Sequence, residues 1–484
     1  MNMTRNNKIL QEAIILLIII LLSAAVILIF SSSTSPLYPY NYGIDSAFNR
    51  FVGLNILRKK ILYKDIWDHK GPLLFLIQAV GAIGGTRNNG PSFIFFLQIF
   101  SLSISLFFCR GTYKAILSGE ITYKKELIFI ASGILSLLVY IKTIEGGNLN
   151  EEWCLPFICC SFYLFAQYSY SGKVDHTQLI SFIHGLCCGV ITFIRVNNAV
   201  SIFCGLAVIF ISLIKERKWK NIGLNILFWF FGFSLITVQV IVYFASNDAL
   251  YDMFYAVFLH NLKYMAKETH SNLSFNDFLI RYLPIALSFI LIISSFLHSK
   301  TKDLFDMILL SAAAGSSVML FYSNTYLHYF TIFVPVFLLV LLKNFPFTGK
   351  IGAATAAGLV ILFLSIYLFP LPGRIDRSVY SYVSSIPKEE KNSMIAIWTS
   401  PEIYLNSGLM PVSRFSSYQY KYFAVNKEME EEFVSDLSAA RPLRIMVLSG
   451  YKDRLDPEIK LLLENSYSFE ITDGDADIYV LDGQ

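Results

Sequence analysis

The feature that most constrains the fold is a succession of long apolar runs along the chain. About 20 predominantly apolar residues cross the ~30 Å hydrocarbon core of a bilayer as one helix. Only 15% of the 484 residues are charged, whereas soluble domains carry about a quarter. We therefore expect an α-helical polytopic membrane protein with about 11 transmembrane helices. The expected spans are residues 13–30, 92–109, 127–140, 153–168, 179–194, 199–214, 222–245, 278–297, 304–321, 329–342 and 351–369.

The loops rich in Lys and Arg predict the orientation, because such loops stay in the cytoplasm. They are residues 109–125, 215–220 and 299–303, with the pair Lys343 and Lys350. A cleaved signal peptide competes for the first run, but no A-x-A site follows it, so we expect a retained helix. The N-terminus is then cytoplasmic. The loops expected on the outer face are 144–152, 195–198, 246–277 and 323–328.

The segment 31–90 is charged although it follows the first helix directly. Its apolar piece, residues 73–83, is short and ends in glycines. If this piece crossed the membrane, the basic loop 109–125 would face outward and every later loop would invert. We therefore predict that all of 31–90 lies on the outer side, with interfacial helices.

Composition changes near residue 373. The region beyond it holds charge clusters and short strand-like runs, MIAIW, RIMVL and DIYVLDG. These patterns predict two domains, a transmembrane domain over 1–372 and a soluble extracytoplasmic α/β domain over 373–484. Without a phosphate loop or catalytic signature, the second domain is interpreted as a lid or an interaction module.

Composition also limits the cofactors and partners. The seven cysteines lie mostly in apolar runs without metal-ligand spacing, so buried small hydrophobes are the favoured interpretation. No metal ligand set is predicted; a divalent metal is compatible with the acidic loops but not required. A net charge of +4 does not argue for nucleic acid.

Two charged motifs lie in the first outer segment. In GIDSAFNRFVGLNILRKK the apolar spacing predicts a surface helix with Asp45 at its start, where an N-cap is the plain alternative. In YKDIWDHKGPLLF, Asp68, His69 and Lys70 precede a Gly-Pro helix start, with Pro72 at the first position. An anion is favoured there, and lipid phosphate is the obvious one; interfacial anchoring is the alternative.

Three further outer loops carry candidate binding residues. Glu151 and Glu152 begin a helix, either as a functional carboxylate pair or as caps. Arg195, followed by Asn197, lies at a helix end and predicts a polar cavity, with snorkelling to the interface as the alternative. His328 and Tyr329 are candidates to bind a phosphate or a sugar hydroxyl, or are structural.

Taken together, these motifs resemble the GT-C membrane glycosyltransferases, specifically the bacterial family 39 group related to protein O-mannosyltransferases and aminoarabinose transferases. The resemblance rests on YGIDSAF, LYKDIWDHKGPLLFLIQAVGAIGG, GNLNEEWCLPF and HYF, and covers residues 9–370 in architecture. It implies a GT-C fold, a polyprenyl-phosphate sugar donor and a hydroxyl acceptor on the outer face of the plasma membrane. It also implies that Asp45 is the general base, that Lys70 binds the carrier phosphate, and that Glu151 or Glu152 is the second acidic position.

The chain departs from many relatives, with DS and KGP where they have DE and HPP. This departure weakens the case for a protein hydroxyl as the acceptor, whereas lipid and glycan acceptors stay open. The expected function is an inverting glycosyltransferase. A transporter or flippase of a lipid-linked intermediate is the alternative, and it would need charges along a path through the bilayer rather than on one face. A non-catalytic scaffold would leave the carboxylate and lysine cluster unexplained.

Overall fold

The computed structural model describes residues 5–38, 43–84, 93–118, 121–267, 274–298, 303–322, 326–344, 349–367, 385–387, 390, 394–397, 402–407, 410–418, 420–474 and 476–483. The fold is helical with a small sheet near the C-terminus, as predicted. The helices of the first 367 residues are α1 (Arg5–Phe30), α2 (Ile44–Leu57), α3 (Pro72–Ile83), α4 (Phe93–Ile116), α5 (Tyr123–Thr143), α6 (Asn150–Ser169), α7 (Gln178–Arg195), α8 (Val200–Lys215), α9 (Trp219–Ser246), α10 (Leu250–Phe254), α11 (Asn261–Lys267), α12 (Phe275–His298), α13 (Leu304–Tyr322), α14 (Val334–Asn344) and α15 (Gly349–Tyr367).

Seven stretches in the described part of the chain are long and apolar enough to cross a membrane, against about 11 expected. One of them, Gln178–Lys215, contains both α7 and α8. Helix α6 is not among the seven, and α13 and the apolar part of α15 count only as shorter apolar helices. The chain is a multi-pass membrane protein. The count of seven covers only the described residues and takes α7 and α8 as one stretch, so it is compatible with the expected number of spans.

The chain forms two compact units. One boundary between them, at 373/374, lies next to the predicted division at 372/373, but the second unit also includes two earlier segments. Unit A comprises Met1–Ser31, Phe96–Val240 and Thr269–Gly373. Unit B comprises Ser32–Phe95, Ile241–Glu268 and Arg374–Gln484. The C-terminal region thus groups with the first charged segment, and the two-domain division at 372/373 stays a prediction.

Unit A is a helical bundle. Helix α14 lies at its centre, with Val334–Leu342 buried, and packs on α5 and α12. Helices α7 and α9 cross very closely, with glycines at the contact. A Cβ atom on Gly185 would lie 1.9 Å from the carbonyl oxygen of Trp229, and a Cβ atom on Gly232 would lie 2.0 Å from the carbonyl oxygen of Phe182. Small residues at such crossings let helix backbones approach in a membrane, where van der Waals packing drives association.

In unit B, α2 packs on α3. A Cβ on Gly53 would meet the Cβ of Gln78 at 2.5 Å, so glycine is required at this crossing. The predicted helix is confirmed, but protein covers its polar face as well, since Asn49 and Arg50 are buried. Helix α3 has 12 residues, about 18 Å of helix, too short for a ~30 Å core, which supports the prediction that it does not cross.

The C-terminal part of unit B carries a four-stranded sheet in the order β1-β2-β4-β3. Strands β1 (Met394–Ile397) and β2 (Arg444–Leu448) are parallel, whereas β4 (Ala476–Leu481) is antiparallel to β2 and to β3 (Tyr467–Asp473). Three of these strands match the predicted apolar runs. The accompanying helices are α16 (Glu402–Ser407), α17 (Tyr420–Phe423), α18 (Lys427–Ala440) and α19 (Pro457–Ser466).

Candidate functional site

The charged residues of the first segment come together in unit B. Lys70 Nζ lies 3.4 Å from Asp45 Oδ1 and 3.8 Å from Asp68 Oδ2. The side chains of Lys70 and Asp68 are 9% and 7% exposed, whereas that of Asp45 is 43% exposed. One buried ammonium group therefore lies beside two carboxylates, and the Asp45 carboxylate is the more exposed of the two.

The start of α2 places Asp45 without using it as a cap. Gly43, with a left-handed φ of 65°, occupies the N-cap position, and Asp45 lies in the first turn. The alternative that Asp45 is the N-cap is therefore wrong. A carboxylate in the first turn is still stabilised by the helix dipole, so the helix holds Asp45 in place as a charged group.

The turn before α3 fixes Lys70. Its amide N–H donates to Asp68 Oδ1 at 2.9 Å, and its carbonyl oxygen accepts from the Tyr63 hydroxyl at 2.7 Å. Gly71 is the N-cap of α3 and Pro72 its first residue, as predicted. The ammonium also lies 5.9 Å from the Phe48 ring centroid, within cation–π distance. These contacts orient the ammonium beside both carboxylates before any ligand binds.

Asp68 is the buried carboxylate of this group. Burial raises its pKa above the ordinary value of 3.8, because desolvation penalises the charged form, and the Lys70 ammonium opposes this rise. Asp68 Oδ1 also lies 3.5 Å from His69 Nδ1. Asp68 therefore bridges the Lys70 ammonium and the His69 imidazole.

His69 belongs to an aromatic cluster in unit B. Its ring centroid lies 4.6 Å from that of Tyr422 and 6.0 Å from that of His260. Trp67 meets His260 edge-on at 5.0 Å. The cluster, formed by three segments of the chain, consists of Trp67, His69, His260, Tyr264, Phe415 and Tyr422.

His260 was missed by the sequence analysis, which treated residues 246–277 only as a loop. It ends a π-helical segment, Tyr255–His260, and is fully buried. Neither ring nitrogen has a hydrogen-bond partner among the residues that the structure describes. π-Helical segments occur frequently at functional sites. This geometry points to His260 in the structure, but the sequence alone does not show it.

The second group of candidates lies in unit A. Arg195 Nη1 donates to Glu151 Oε1 at 2.9 Å, and the guanidinium lies 4.0 Å from the Tyr329 ring centroid. Glu151 is 1% exposed, and its Oε2 is buried with no partner in the described ranges. Arg195 is 26% exposed. Its contacts are those of a polar site, as predicted, and not of a side chain snorkelling to the interface.

Glu152 has a different environment from Glu151. Its carboxylate accepts from the Tyr140 hydroxyl at 2.9 Å, from Gln98 Nε2 at 3.1 Å and from the Leu149 backbone N–H at 2.9 Å. Three donors, one of them the N-cap backbone, are the contacts of a buried helix cap. The geometry therefore favours the cap alternative for Glu152 and leaves Glu151 as the functional candidate of the pair.

His328 is held by Glu145, which accepts hydrogen bonds from the His328 ring Nδ1 and, at 3.1 Å, from its backbone N–H. The His328 ring meets that of Tyr329 edge-on at 4.6 Å. Asn197 lies half-buried in the short 3₁₀ turn Val196–Ala199 that follows Arg195. His328 and Asn197 thus flank the Arg195 group from two different loops.

Arg281 in α12 was also missed. Its side chain is 4% exposed, and neither Nε nor Nη2 has a hydrogen-bond partner within the described part of the protein. These two N–H groups form one edge of the guanidinium, the edge that pairs with two oxygens of a carboxylate or phosphate. An unpaired buried guanidinium is costly, so this edge is a strong candidate for ligand binding.

Metal ligands do not gather in the described ranges, where no three His, Cys, Asp or Glu side chains lie close enough together to hold an ion. All seven cysteines are free, and five are buried. Cys109 and Cys159 are neighbours, with their sulfurs 3.6 Å apart. The interpretation of the cysteines as packed hydrophobic residues is consistent with these positions.

Comparisons with known proteins define the class of fold. ArnT from Cupriavidus metallidurans bound to undecaprenyl phosphate superposes with a TM-score of 0.58 at 9% identity, covering 98% of each chain; its apo state gives 0.54 at 10% identity with the same coverage. The apo oligosaccharyltransferase from Archaeoglobus fulgidus gives 0.51 at 11% identity, covering 90% of this chain and 70% of the other. The chain therefore has the GT-C fold, and the expected resemblance is confirmed at the level of the fold.

The family follows from the sequence. Residues 4–354 match the N-terminal domain of the putative competence-induced protein Ccs4, so the chain belongs to that family. Among curated proteins, none matches the sequence.

Proposed function

We propose that the protein is an inverting glycosyltransferase of the bacterial plasma membrane. It moves a sugar from a polyprenyl-phosphate carrier to a hydroxyl acceptor, a glycan, lipid or protein, on the outer face. The observation that carries the proposal is the Asp45–Lys70–Asp68 group, in which an exposed carboxylate and a buried ammonium lie 3.4 Å apart. The likeness in fold to ArnT bound to undecaprenyl phosphate supports this choice of donor.

Asp45 acts as the general base. Its carboxylate takes the proton of the acceptor hydroxyl as the oxygen forms its bond to the anomeric carbon. General base catalysis of this kind typically contributes 10²–10⁴-fold. Because Asp45 is 43% exposed whereas Asp68 is 7% exposed, Asp45 is the carboxylate of the pair that an acceptor can reach.

Lys70 stabilises the leaving phosphate. The bond from the anomeric carbon to the phosphate oxygen breaks, its electron pair passes to that oxygen, and negative charge grows beside the ammonium. Asp68 holds Lys70 in place through two contacts, one with its ammonium group and one with its backbone N–H. A bound phosphate also draws Lys70 away from Asp45, which raises the basicity of Asp45 when the donor is in place.

Within unit A, Arg281 and Arg195 are separate candidate groups for binding a ligand. The unpaired Nε–Nη2 edge of Arg281 matches two oxygens of one anionic group. Arg195, Glu151 and Tyr329 form a polar group that can bind hydroxyls, with His328 and Asn197 beside it. The basic loops 109–125 and 215–220 support a cytoplasmic N-terminus and an outer-facing site.

The test is donor turnover. Purified protein in lipid nanodiscs is incubated with radiolabelled polyprenyl-phosphate sugars, and both polyprenyl phosphate and transferred label are measured. We expect turnover of at least one donor and a loss of about 10²–10⁴-fold in kcat for Asp45→Asn.

The matched control is Asp65→Asn. Asp65 lies in the same segment, is exposed, and within the described ranges its carboxylate accepts a hydrogen bond from the Ile61 backbone N–H. This variant should therefore keep nearly full activity. Full turnover by a folded Asp45→Asn protein would show that Asp45 is not the base. Failure to consume any donor would contradict the proposed reaction.

A further inference from the structure

The aromatic cluster of unit B contains a buried imidazole without a described partner. His260 is surrounded by Trp67, Tyr255, Tyr264 and Tyr422, with ring centroids 5.0 to 6.5 Å away. Both ring nitrogens are unpartnered among the described residues. Aromatic rings provide no strong hydrogen-bond acceptor or donor for these nitrogens, so a ligand group that enters the cluster would find a donor and an acceptor unused.

The imidazole is uncharged. Burial, and to a lesser extent the positive charge of Lys263, lower the pKa of His260 to about 4. A neutral imidazole offers one N–H donor and one nitrogen acceptor, which is the pattern that a hydroxyl group satisfies. Any charged ligand group would meet the same desolvation, and an ammonium group would also meet the repulsion from Lys263.

The surrounding rings favour a ligand with an apolar face. Tyr264, Tyr422 and His69 are partly exposed, whereas His260 is fully buried, so the open side of the cluster is lined by ring edges and faces. Ligand sites usually combine such apolar walls with a few convergent polar groups. A pyranose ring has this character, with a C–H face and hydroxyls around its rim.

The cluster is joined to the phosphate-binding lysine through one carboxylate. Asp68 Oδ1 is 3.5 Å from His69 Nδ1, and Asp68 Oδ2 is 3.8 Å from Lys70 Nζ. In a sugar phosphate ester the sugar ring is likewise next to the phosphate, because one oxygen atom joins the two groups. The phosphate at Lys70 and the sugar at the aromatic cluster then belong to one donor molecule.

We propose that the aromatic cluster around His260 is the binding site for the sugar of the donor, and that this sugar is uncharged. The inference rests on the proposed function, because it takes the phosphate at Lys70 as given. It also assigns a role to the C-terminal region of the chain, which contributes Phe415 and Tyr422 to the cluster. His260 and Tyr422 are then specificity-determining residues.

The experiment measures what the sugar adds to affinity. The Kd of full-length protein in nanodiscs is compared for geranylgeranyl phosphate and for its glucosyl, mannosyl, N-acetylglucosaminyl, galacturonosyl and aminoarabinosyl esters. For the wild type we expect at least one uncharged sugar to lower the Kd about tenfold relative to the bare phosphate. A tenfold change in Kd corresponds to about 1.4 kcal/mol of binding free energy. His260→Phe and Tyr422→Ala should lose that gain while their Kd for the bare phosphate stays unchanged.

His184→Phe is the matched control. His184 is also fully buried and has both ring nitrogens unpartnered in the described residues, but it lies in unit A and stacks on Phe165 at 4.4 Å. It should keep the full sugar gain. Tyr422→Ala, at a partly exposed ring, tests the cluster if His260→Phe fails to fold.

An undiminished sugar gain in both cluster variants would overturn the proposal, as would a gain only for the charged sugars or for none. Failure of the proposed function has a different signature. If Lys70→Met leaves the Kd for bare geranylgeranyl phosphate unchanged, the phosphate site is wrong, whereas the sugar gain still reports on the cluster.

Discussion

The Lys70 group of unit B and the Arg195 group of unit A differ in which member is exposed to solvent. In unit B the cation is buried and one of its two carboxylates, Asp45, is open to solvent. In unit A the carboxylate of Glu151 is buried and its cation, Arg195, is the more exposed partner. A carboxylate must reach a hydroxyl to act as a base, so exposure separates a catalytic role for Asp45 from a binding or structural role for Glu151.

Besides the change at Asp45, loss of the Lys70 charge should give the largest effect. Lys70→Met removes the ammonium from the leaving phosphate, and we expect kcat/KM for the donor to fall by about 10²–10³-fold, the usual size for one transition-state donor. Lys70→Arg should recover part of this loss because it retains the charge. Steady-state kinetics with a labelled donor measures both.

Lys64→Met is the control for that prediction. Lys64 is an exposed lysine of the same segment whose Nζ donates, among the described residues, to the Asn247 carbonyl oxygen at 3.3 Å. Its replacement should leave kcat/KM within about twofold. Equal losses for Lys64→Met and Lys70→Met would mean that the segment, and not the Lys70 ammonium, matters.

The Arg195–Glu151 pair should contribute to the free energy of unfolding. Arg195→Met leaves the Glu151 carboxylate buried without its cation. Breaking a buried pair in this way typically lowers the free energy of unfolding by about 3–5 kcal/mol. Because Arg195 is 26% exposed, we expect a smaller loss of about 2–3 kcal/mol. The double variant Arg195→Met/Glu151→Gln should recover most of that loss. Thermal unfolding in detergent measures it, and a double variant no more stable than the single one would contradict the pairing.

A smaller effect concerns pH. Because burial raises the pKa of Asp68 in the folded state, folded protein binds more protons there than unfolded protein. The Asp68 contribution therefore favours the folded state at low pH and is lost as pH rises from about 3.8 through the folded pKa. Asp68→Asn should remove this slope from a plot of Tm against pH, and an identical slope in both proteins would show that Asp68 is not its source.

Much of the fold was accessible from the sequence because apolar periodicity reports burial directly. Helix α2 and strands β1, β2 and β4 follow apolar patterns that the sequence displays. Strand β3 was missed, since its five central residues are exposed and form no apolar run. Among the described residues, seven stretches meet the length and hydropathy measure, and one of them contains two helices, which is compatible with the expected spans.

The site was only partly accessible. Asp45 and Lys70 are recognisable from their helix starts and from the family resemblance, but their 3.4 Å separation depends on how α2 packs on α3. His260 and Arg281 carry no motif, and their interest comes entirely from burial without described partners. The burial of these side chains depends on how distant segments of the chain pack together, and a local sequence pattern does not predict it.

The most direct test of the central claim is what becomes of the lipid donor in sealed proteoliposomes that contain the protein, a labelled polyprenyl-phosphate sugar and a hydroxyl acceptor. Mass spectrometry of the lipid fraction and label counts on the acceptor are followed over time. The account predicts that free polyprenyl phosphate appears in step with labelled acceptor, with Lys70→Met slow in both. Donor that stays intact but moves to the opposite leaflet would contradict it and would identify a flippase.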